Sequence, residues 1–318
     1  MGRAERNIPP LHLKSANMKI QVLLNRHAGS LKTIDADEFA DYVREAFVRA
    51  GHKPDVRVID GSELESALDA AATDDQCEVI GVCGGDGSVS CAAGVAWRSG
   101  KALAIIPAGT MNLFARSLGT PLDLHDAVDA LAEGRIRDCD IASVNDRAFV
   151  HQFSVGLHPQ MVESRQNYPH HSRVGKILAS VRGAFDAFRK IPRVRADITL
   201  DGEAVKRKVF GVISCSNNRY GVGHIPFADH VDKGELGVYL APPMRPKDSL
   251  VLAADTMLGK WNENALLEER SHKRADIRFS KASGKIKCAI DGELCPLPQT
   301  ARIRIHAGEL KVLVPFSP

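Results

Sequence analysis

The chain has 318 residues, of which 44% are apolar and 25% charged, and a formal net charge of +3. It is long enough for two domains or one large one with an ample core, and its proportions are ordinary for a soluble globular protein. No apolar run reaches bilayer-spanning length, residues 1–17 lack the apolar segment of a signal peptide, and the seven cysteines and twelve histidines show no CxxC, zinc-type or HExxH spacing. Reduced core thiols and a cytoplasmic setting are expected, with no His- or Cys-built metal site.

Residues 1–17 read as a flexible extension, and Met18-Lys19-Ile20 opens the first strand pattern. Strands are expected at Ile20–Leu24 and Asp55–Ile59, and an amphipathic helix from Ala36 to Gly51. A second helix runs from Ser62 to Ala72, with Ser62 and Glu65 in capping-box spacing. Two short apolar runs, Val79–Cys83 and 102–106, read as buried strands. The first leads into a helix through Ala96 and the second into one ending near Leu118-Gly119, and Leu124–Gly134 is a further helix. This alternation over residues 18–140 predicts a doubly wound parallel sheet.

The pattern then changes. Residues 138–160 and 194–316 are dominated by strand signals, among them Val194–Leu200, Val209–Ser214, Lys285–Ile290 and Ala301–Ile305. Asp201-Gly202 and Asp291-Gly292 read as tight turns between strands, and helices are expected near 173–190 and 247–259. The expectation is a C-terminal antiparallel β-sandwich.

Each buried strand of the first half is followed by a glycine-rich loop: Gly84-Gly85-Asp86-Gly87-Ser88 and Pro107-Ala108-Gly109-Thr110-Met111-Asn112. Such loops at the carboxyl ends of neighbouring strands aim backbone N–H groups and helix N-termini at a polyphosphate. Glycine lets the backbone approach the phosphates and adopt positive φ. The Walker-A lysine is missing, and Ser90 stands where the dinucleotide fingerprint needs its third glycine. Nucleoside triphosphate binding with phosphoryl transfer is therefore expected from a differently built site. Asp86 reads as a turn-and-cap residue or as the group orienting magnesium or the attacking hydroxyl. Thr110 and Asn112 read as helix caps or nucleotide contacts.

From Arg165 to Arg219, twelve Lys/Arg stand against four Asp/Glu. Within that stretch Val174, Ile177, Leu178, Val181, Phe185 and Phe188 share one helical face bordered by Arg173 and Lys176. It reads as a core helix with snorkelling bases or as a helix lying on an anionic membrane. Nucleic acid is disfavoured as a partner, because no aromatic platform interleaves with the basic residues.

Four segments occur in one order: Asn25-Arg26-His27-Ala28-Gly29, the first glycine loop, the second loop extended through Arg116, and Asp291-Gly292-Glu293. On these the chain resembles the diacylglycerol kinase catalytic-domain superfamily, notably its soluble bacterial lipid kinases, and more distantly the sphingosine, ceramide and NAD kinases. The resemblance implies an NAD-kinase-like nucleotide domain over 18–140, a lipid-substrate β-domain over 141–307, a last strand (Leu310–Val314, within 308–318) returning to the first domain, and an active site between them. It implies ATP and Mg²⁺, with transfer to a hydroxyl of diacylglycerol, ceramide or a sphingoid base at the inner membrane face. Nucleotide contacts fall on Asn25, Gly84, Gly85, Asp86, Gly87, Ser88, Gly109, Thr110, Asn112, Arg173 and Lys176, with Arg165 nearby. Glu293 is implied as general base with Asp291 positioning it, and Asp86 is its rival. Asp229 and Asp232 fall in a loop that binds structural magnesium in bacterial members.

The chain departs from the family at Ser90 and Cys91, where Asn and an acid are usual, which weakens hydrogen bonding beneath the first loop. Lys233 replaces the second acid of the magnesium loop, and Leu157-His158-Pro159-Gln160 lacks the acid that follows Gly156. The alternatives are a soluble NAD- or sugar-type kinase and a non-catalytic lipid- or nucleotide-binding relative.

Overall fold

The computed structural model describes residues 17–166, 193–245, 247–248, 251–252, 255, 259–280 and 286–316. Four strands, β1 (Lys19–Asn25), β2 (Lys53–Ile59), β3 (Val79–Gly84) and β4 (Ala102–Pro107), pair in parallel in the order β4-β3-β1-β2. Every residue of β3 and β4 is buried, as expected of strands covered on both faces. Five helices accompany them: α1 (Ala36–Arg49), α2 (Leu64–Thr73), α3 (Asp86–Ser99), α4 (Leu113–Ser117) and α5 (Leu124–Ala132). Ile20, Val22 and Leu24 pack with Val43, Phe47 and Val128 of α1 and α5. Leu23, Ile80 and Ile105 pack with Leu68, Ala92 and Phe114 of α2, α3 and α4. Strand alternation thus sends successive side chains into two helical layers, and the parallel sheet is doubly wound.

The cap of α2 lies earlier than its spacing suggested. Asp60 and Glu63 form the capping box on a short 3₁₀ turn, Gly61–Glu63, that leads into α2. Ser66, not Ser62, bonds back into this turn, donating to the Glu63 carbonyl at 2.9 Å.

The second half holds β5 (Arg135–Val144), β6 (Arg147–Phe149), β7 (Gln152–Gly156), α6 (Leu157–Gln166), β8 (Val194–Leu200), β9 (Glu203–Ala204), β10 (Val209–Phe210), β11 (Val212–Asn217), β12 (Leu236–Ala241), β13 (Glu268–His272), β14 (Arg274–Phe279), β15 (Lys287–Ile290), β16 (Glu293–Pro296) and β17 (Thr300–Val314). One antiparallel sheet runs β13-β12-β11-β7-β15-β16, and the other layer runs β10-β8-β14-β17. Phe153, Val155, Ile213 and Cys215 of the first meet Ile198, Ile277 and Ile303 of the second in one core. The C-terminal part is a β-sandwich.

Three local expectations change. Residues 157–160 belong to α6, whose first turn accommodates Pro159, and not to a strand. The run expected at Val209–Ser214 breaks at Gly211, where a Cβ would stand 2.6 Å from the Pro242 carbonyl oxygen. The helix expected at 173–190 lies outside the described residues, and of 247–259 the described residues 247, 248, 251, 252 and 255 are helical.

Strand β17 joins the two halves. Its first residues pair antiparallel with β14 (Ile303 opposite Ala275), and its last pair parallel with β4 (Val312 opposite Leu103). The register along β5 shifts between His306 and Leu310, where Gly308 takes φ +67° and its N–H donates to buried Asp140 at 2.9 Å. This bulge re-aims the strand. One sandwich layer and the nucleotide-type sheet are thereby a single eleven-stranded sheet.

Candidate active site

The carboxyl ends of β1, β3 and β4 bring three loops together, the position where open α/β sheets bind ligands. A Cβ on Gly29 would stand 2.7 Å from the Ala108 carbonyl oxygen, and one on Gly109 would stand 2.7 Å from the Cα of Gly85. The Ala108 N–H donates to the Gly84 carbonyl at 2.9 Å, and the Ser30 N–H to that of Ala108 at 3.0 Å. Gly85 and Gly109 therefore touch backbone to backbone.

Neither Gly84, Gly85 nor Gly87 takes a positive φ, so the reason for glycine is spatial. At Gly84 a Cβ would collide with Ser88, whereas at Gly87 it would meet open space. Gly87 lies in the exposed first turn of α3. Helix α3 has Gly85 at its N-cap and no side-chain cap, which leaves the N–H groups of its first turn and its positive dipole end available to an anion.

Asp86 bridges the two loops. One carboxylate oxygen accepts from the Asn112 N–H at 3.0 Å and the other from the Leu113 N–H at 2.6 Å. It caps α4, not its own helix. Asn112 takes φ +50° at the N-cap of α4. Its amide folds back on Gly109, accepting from that N–H at 2.8 Å and donating to that carbonyl at 2.9 Å. The Asn112 side chain shapes the second loop, while Thr110 at its tip is exposed. Asn25 accepts from the His27 N–H at 3.0 Å, and Arg26 and His27 both reach Asp60, at 3.1 and 3.3 Å.

The two Asp-Gly-Glu segments form the same kind of hairpin: φ is +48° and +95° at Asp201-Gly202 and +46° and +82° at Asp291-Gly292, as in type I′ turns. Their carboxylates separate them. Asp201 accepts from the N–H groups of Lys273 and Arg274 and pairs with His272. Asp291 accepts, each at 2.9 Å, from the N–H groups of Val150, His151 and Gln152. The Ser90 hydroxyl of α3 also hydrogen-bonds to it. Burial raises the Asp291 carboxyl above the ordinary range, against the pull of Ser90 and those N–H groups. Ser90 thus links the phosphate-loop helix to the β15–β16 turn.

Glu293 begins β16 and is ion-paired with Arg147, its side chain 68% exposed. Arg147 also donates to the Cys295 sulfur at 3.2 Å. His151, which the sequence reading passed over, lies between the loops and this turn. Its ring stacks on Tyr220 (centroids 5.3 Å apart), and it feels the Asp86 charge. Burial pushes its imidazole down to about 4, with Asp86 pulling the other way. A lone histidine before a strand is the only mark it leaves in the sequence.

Of the remaining predicted residues, Arg173 and Lys176 lie outside the described residues, as does the side chain of Arg165. Asp229 and Asp232 are exposed, and the Asp229 carboxylate packs on the bare Cα of Gly221. Their loop is held by the protein's own polar groups. Gly234 N–H donates to Asp140 at 2.6 Å, and Lys233 N–H donates to Asn218 at 3.1 Å. Among the described residues no three His, Cys, Asp or Glu side chains converge as a metal site, so Asp229 and Asp232 have no third such side chain beside them.

Residues 19–144 match the family model described as the diacylglycerol kinase catalytic domain. A diacylglycerol kinase of Staphylococcus saprophyticus is 29% identical over 135 residues, covering 42% of this chain and 43% of that protein. One from Staphylococcus epidermidis is 27% identical over 136 residues, covering 42% and 40%. The chain therefore matches less than half the length of these curated relatives. The crystal structure of a diacylglycerol kinase from Bacillus anthracis superposes with a TM-score of 0.66 at 18% identity, covering 93% of this chain and 96% of that one. A second Bacillus anthracis structure superposes with a TM-score of 0.71 at 20% identity, covering 96% and 98%. The two superpositions show that the fold is shared over both halves.

Proposed function

We propose that this chain, whose residues 19–144 match the diacylglycerol kinase catalytic-domain model, is an ATP-dependent lipid kinase. It transfers the γ-phosphoryl group to a hydroxyl of diacylglycerol or a related lipid, ceramide or a sphingoid base, at the cytoplasmic membrane surface. The observation that carries this reading is the uncapped N-terminus of α3 held against the second loop at Gly85 and Gly109.

Phosphoryl transfer asks little covalent chemistry of the protein and much positioning. The α3 N-terminus and the loops opposed at Gly85 and Gly109 grip the triphosphate through main-chain N–H groups, and Asp86 fixes their spacing. Magnesium enters with the nucleotide as part of the substrate, since Mg²⁺ is commonly held by substrate phosphates. Asp291, bonded to both α3 and the Val150–Gln152 backbone, sets the distance from the phosphates to the acceptor. Glu293 and Arg147 meet the acceptor's head at the open side of the turn. Among the described residues no helix is long and apolar enough to cross a membrane, and the basic stretch from Arg165 to Arg219 suits contact with an anionic surface.

The test incubates the purified chain with γ-labelled ATP and mixed micelles carrying dioleoylglycerol, ceramide or sphingosine. A labelled, solvent-extractable phospholipid that the Gly109→Ala protein does not form is the expected result. Label passing only to NAD or a sugar phosphate would replace this reading with the soluble-kinase alternative. ATP binding without any transfer would replace it with a non-catalytic one.

A further inference from the structure

Hydrogen-bond accounting around His151 fixes its tautomer. The Tyr220 hydroxyl donates to the Gln152 side-chain oxygen Oε1 at 2.8 Å, and the Ser214 hydroxyl donates to that same oxygen at 2.9 Å. With its proton committed, the Tyr220 oxygen can only accept from His151 Nε2, 3.5 Å away. The ring proton therefore sits on Nε2, and Nδ1 presents a bare lone pair. Among the described residues nothing donates to that nitrogen.

The ionisable groups that meet His151 are Asp86 on α3 through its charge, Asp291 in the β15–β16 turn at the backbone N–H, and Tyr220 beyond β11 at the ring. Both oxygens of Asp86 accept backbone N–H bonds. Asp291 is saturated by three N–H groups and Ser90. Burial holds the Tyr220 hydroxyl well above its ordinary value, so it stays neutral. Glu293, which the family resemblance implied as base, is ion-paired with Arg147 at an exposed position. His151 is the half-buried group with a lone pair to spare, and its backbone N–H is pinned by Asp291 at 2.9 Å.

We propose that His151 is a further catalytic residue, whose Nδ1 accepts the proton of the acceptor hydroxyl during phosphoryl transfer. This rests on the lipid-kinase reading. The acceptor O–H bond breaks toward Nδ1 as its oxygen bonds to the γ-phosphorus, and the bond to the β,γ-bridging oxygen breaks to release ADP. The imidazolium so formed is favoured by the nearby Asp86 charge. A resting imidazole held near 4 is no weaker a base than a carboxylate, and a metaphosphate-like transition state needs only a modest one. A bound triphosphate raises its proton affinity further.

The experiment compares wild type, His151→Asn, His151→Ala and Glu293→Gln in the mixed-micelle assay, with ATP affinity measured by calorimetry. His151→Asn is expected to lower kcat by about 100-fold, within the range for general-base loss, with ATP affinity unchanged. Added imidazoles are expected to restore turnover to His151→Ala, and more so the more basic the imidazole. Glu293→Gln is expected to act mainly on the KM of the lipid. A His151→Asn kcat close to wild type, or rescue indifferent to basicity, overturns the assignment while leaving the kinase reading intact. A wild-type chain that labels no lipid overturns both.

Discussion

Gly85 and Gly109 approach so closely that a methyl group on Gly109 would lie 2.7 Å from the other residue's Cα. The contact joins the two phosphate-type loops backbone to backbone, and its obstacle is main chain that cannot rotate aside.

Gly109→Ala is accordingly expected to force the loops apart, lowering stability by about 1–3 kcal/mol and abolishing measurable ATP binding. Urea unfolding and calorimetry read the two effects. A variant that binds ATP like wild type would show that the contact does not shape the site.

Asp86 gives a second prediction. Asp86→Ala removes the acceptor of two N–H groups and should cost about 2 kcal/mol, as loss of a strong helix cap does. Asp86→Asn, which keeps one acceptor oxygen, should cost about half that. Equal stability of all three proteins by denaturant titration would mean that α4 does not depend on this bridge.

The pH dependence of stability follows from His151. Its folded value of about 4 lies below the unfolded value near 6.5, so between these values the unfolded chain binds the extra proton. Stability should fall on acidification through that window, by about 3 kcal/mol between pH 7 and pH 4. Asp291 acts oppositely. Its carboxyl, raised in the fold, contributes stability at low pH that is lost as pH rises through the raised value. Comparing His151→Asn with wild type cancels Asp291, and the His151 slope should be absent from the variant's urea midpoints.

All seven cysteines are free, with very different access. Burial pushes the Cys83 and Cys215 thiols up to about 12 and Cys288 up to about 11, whereas Cys91 and Cys295 are half-buried. A thiol reagent at pH 8 should mark Cys295 and Cys91 first and reach Cys83 and Cys215 only on unfolding. Peptide mass spectrometry gives the order, and early labelling of Cys83 would contradict the packing of β3.

The repeating features of the chain were legible in its residues. Apolar runs at 79–83 and 102–106, amphipathic helices and strand alternation recur within a few residues, and that period alone sets which face is buried. The glycine loops were readable for the same reason, each following its strand directly. Helix α6 and the Asp60 cap escaped because a few residues at an element's edge carry too little pattern.

What only the folded chain decided is pairing across long separations. Asp201-Gly202-Glu203 and Asp291-Gly292-Glu293 are alike as sequence, yet one carboxylate holds Lys273 and Arg274 while the other holds Val150–Gln152 and Ser90. Asp86 capping α4, Ser90 reaching Asp291 and His151 stacking on Tyr220 are equally invisible along the chain. Each joins residues 26 to 201 positions apart, and a hydrogen bond or ring contact depends on distance in space, which local residue order does not encode.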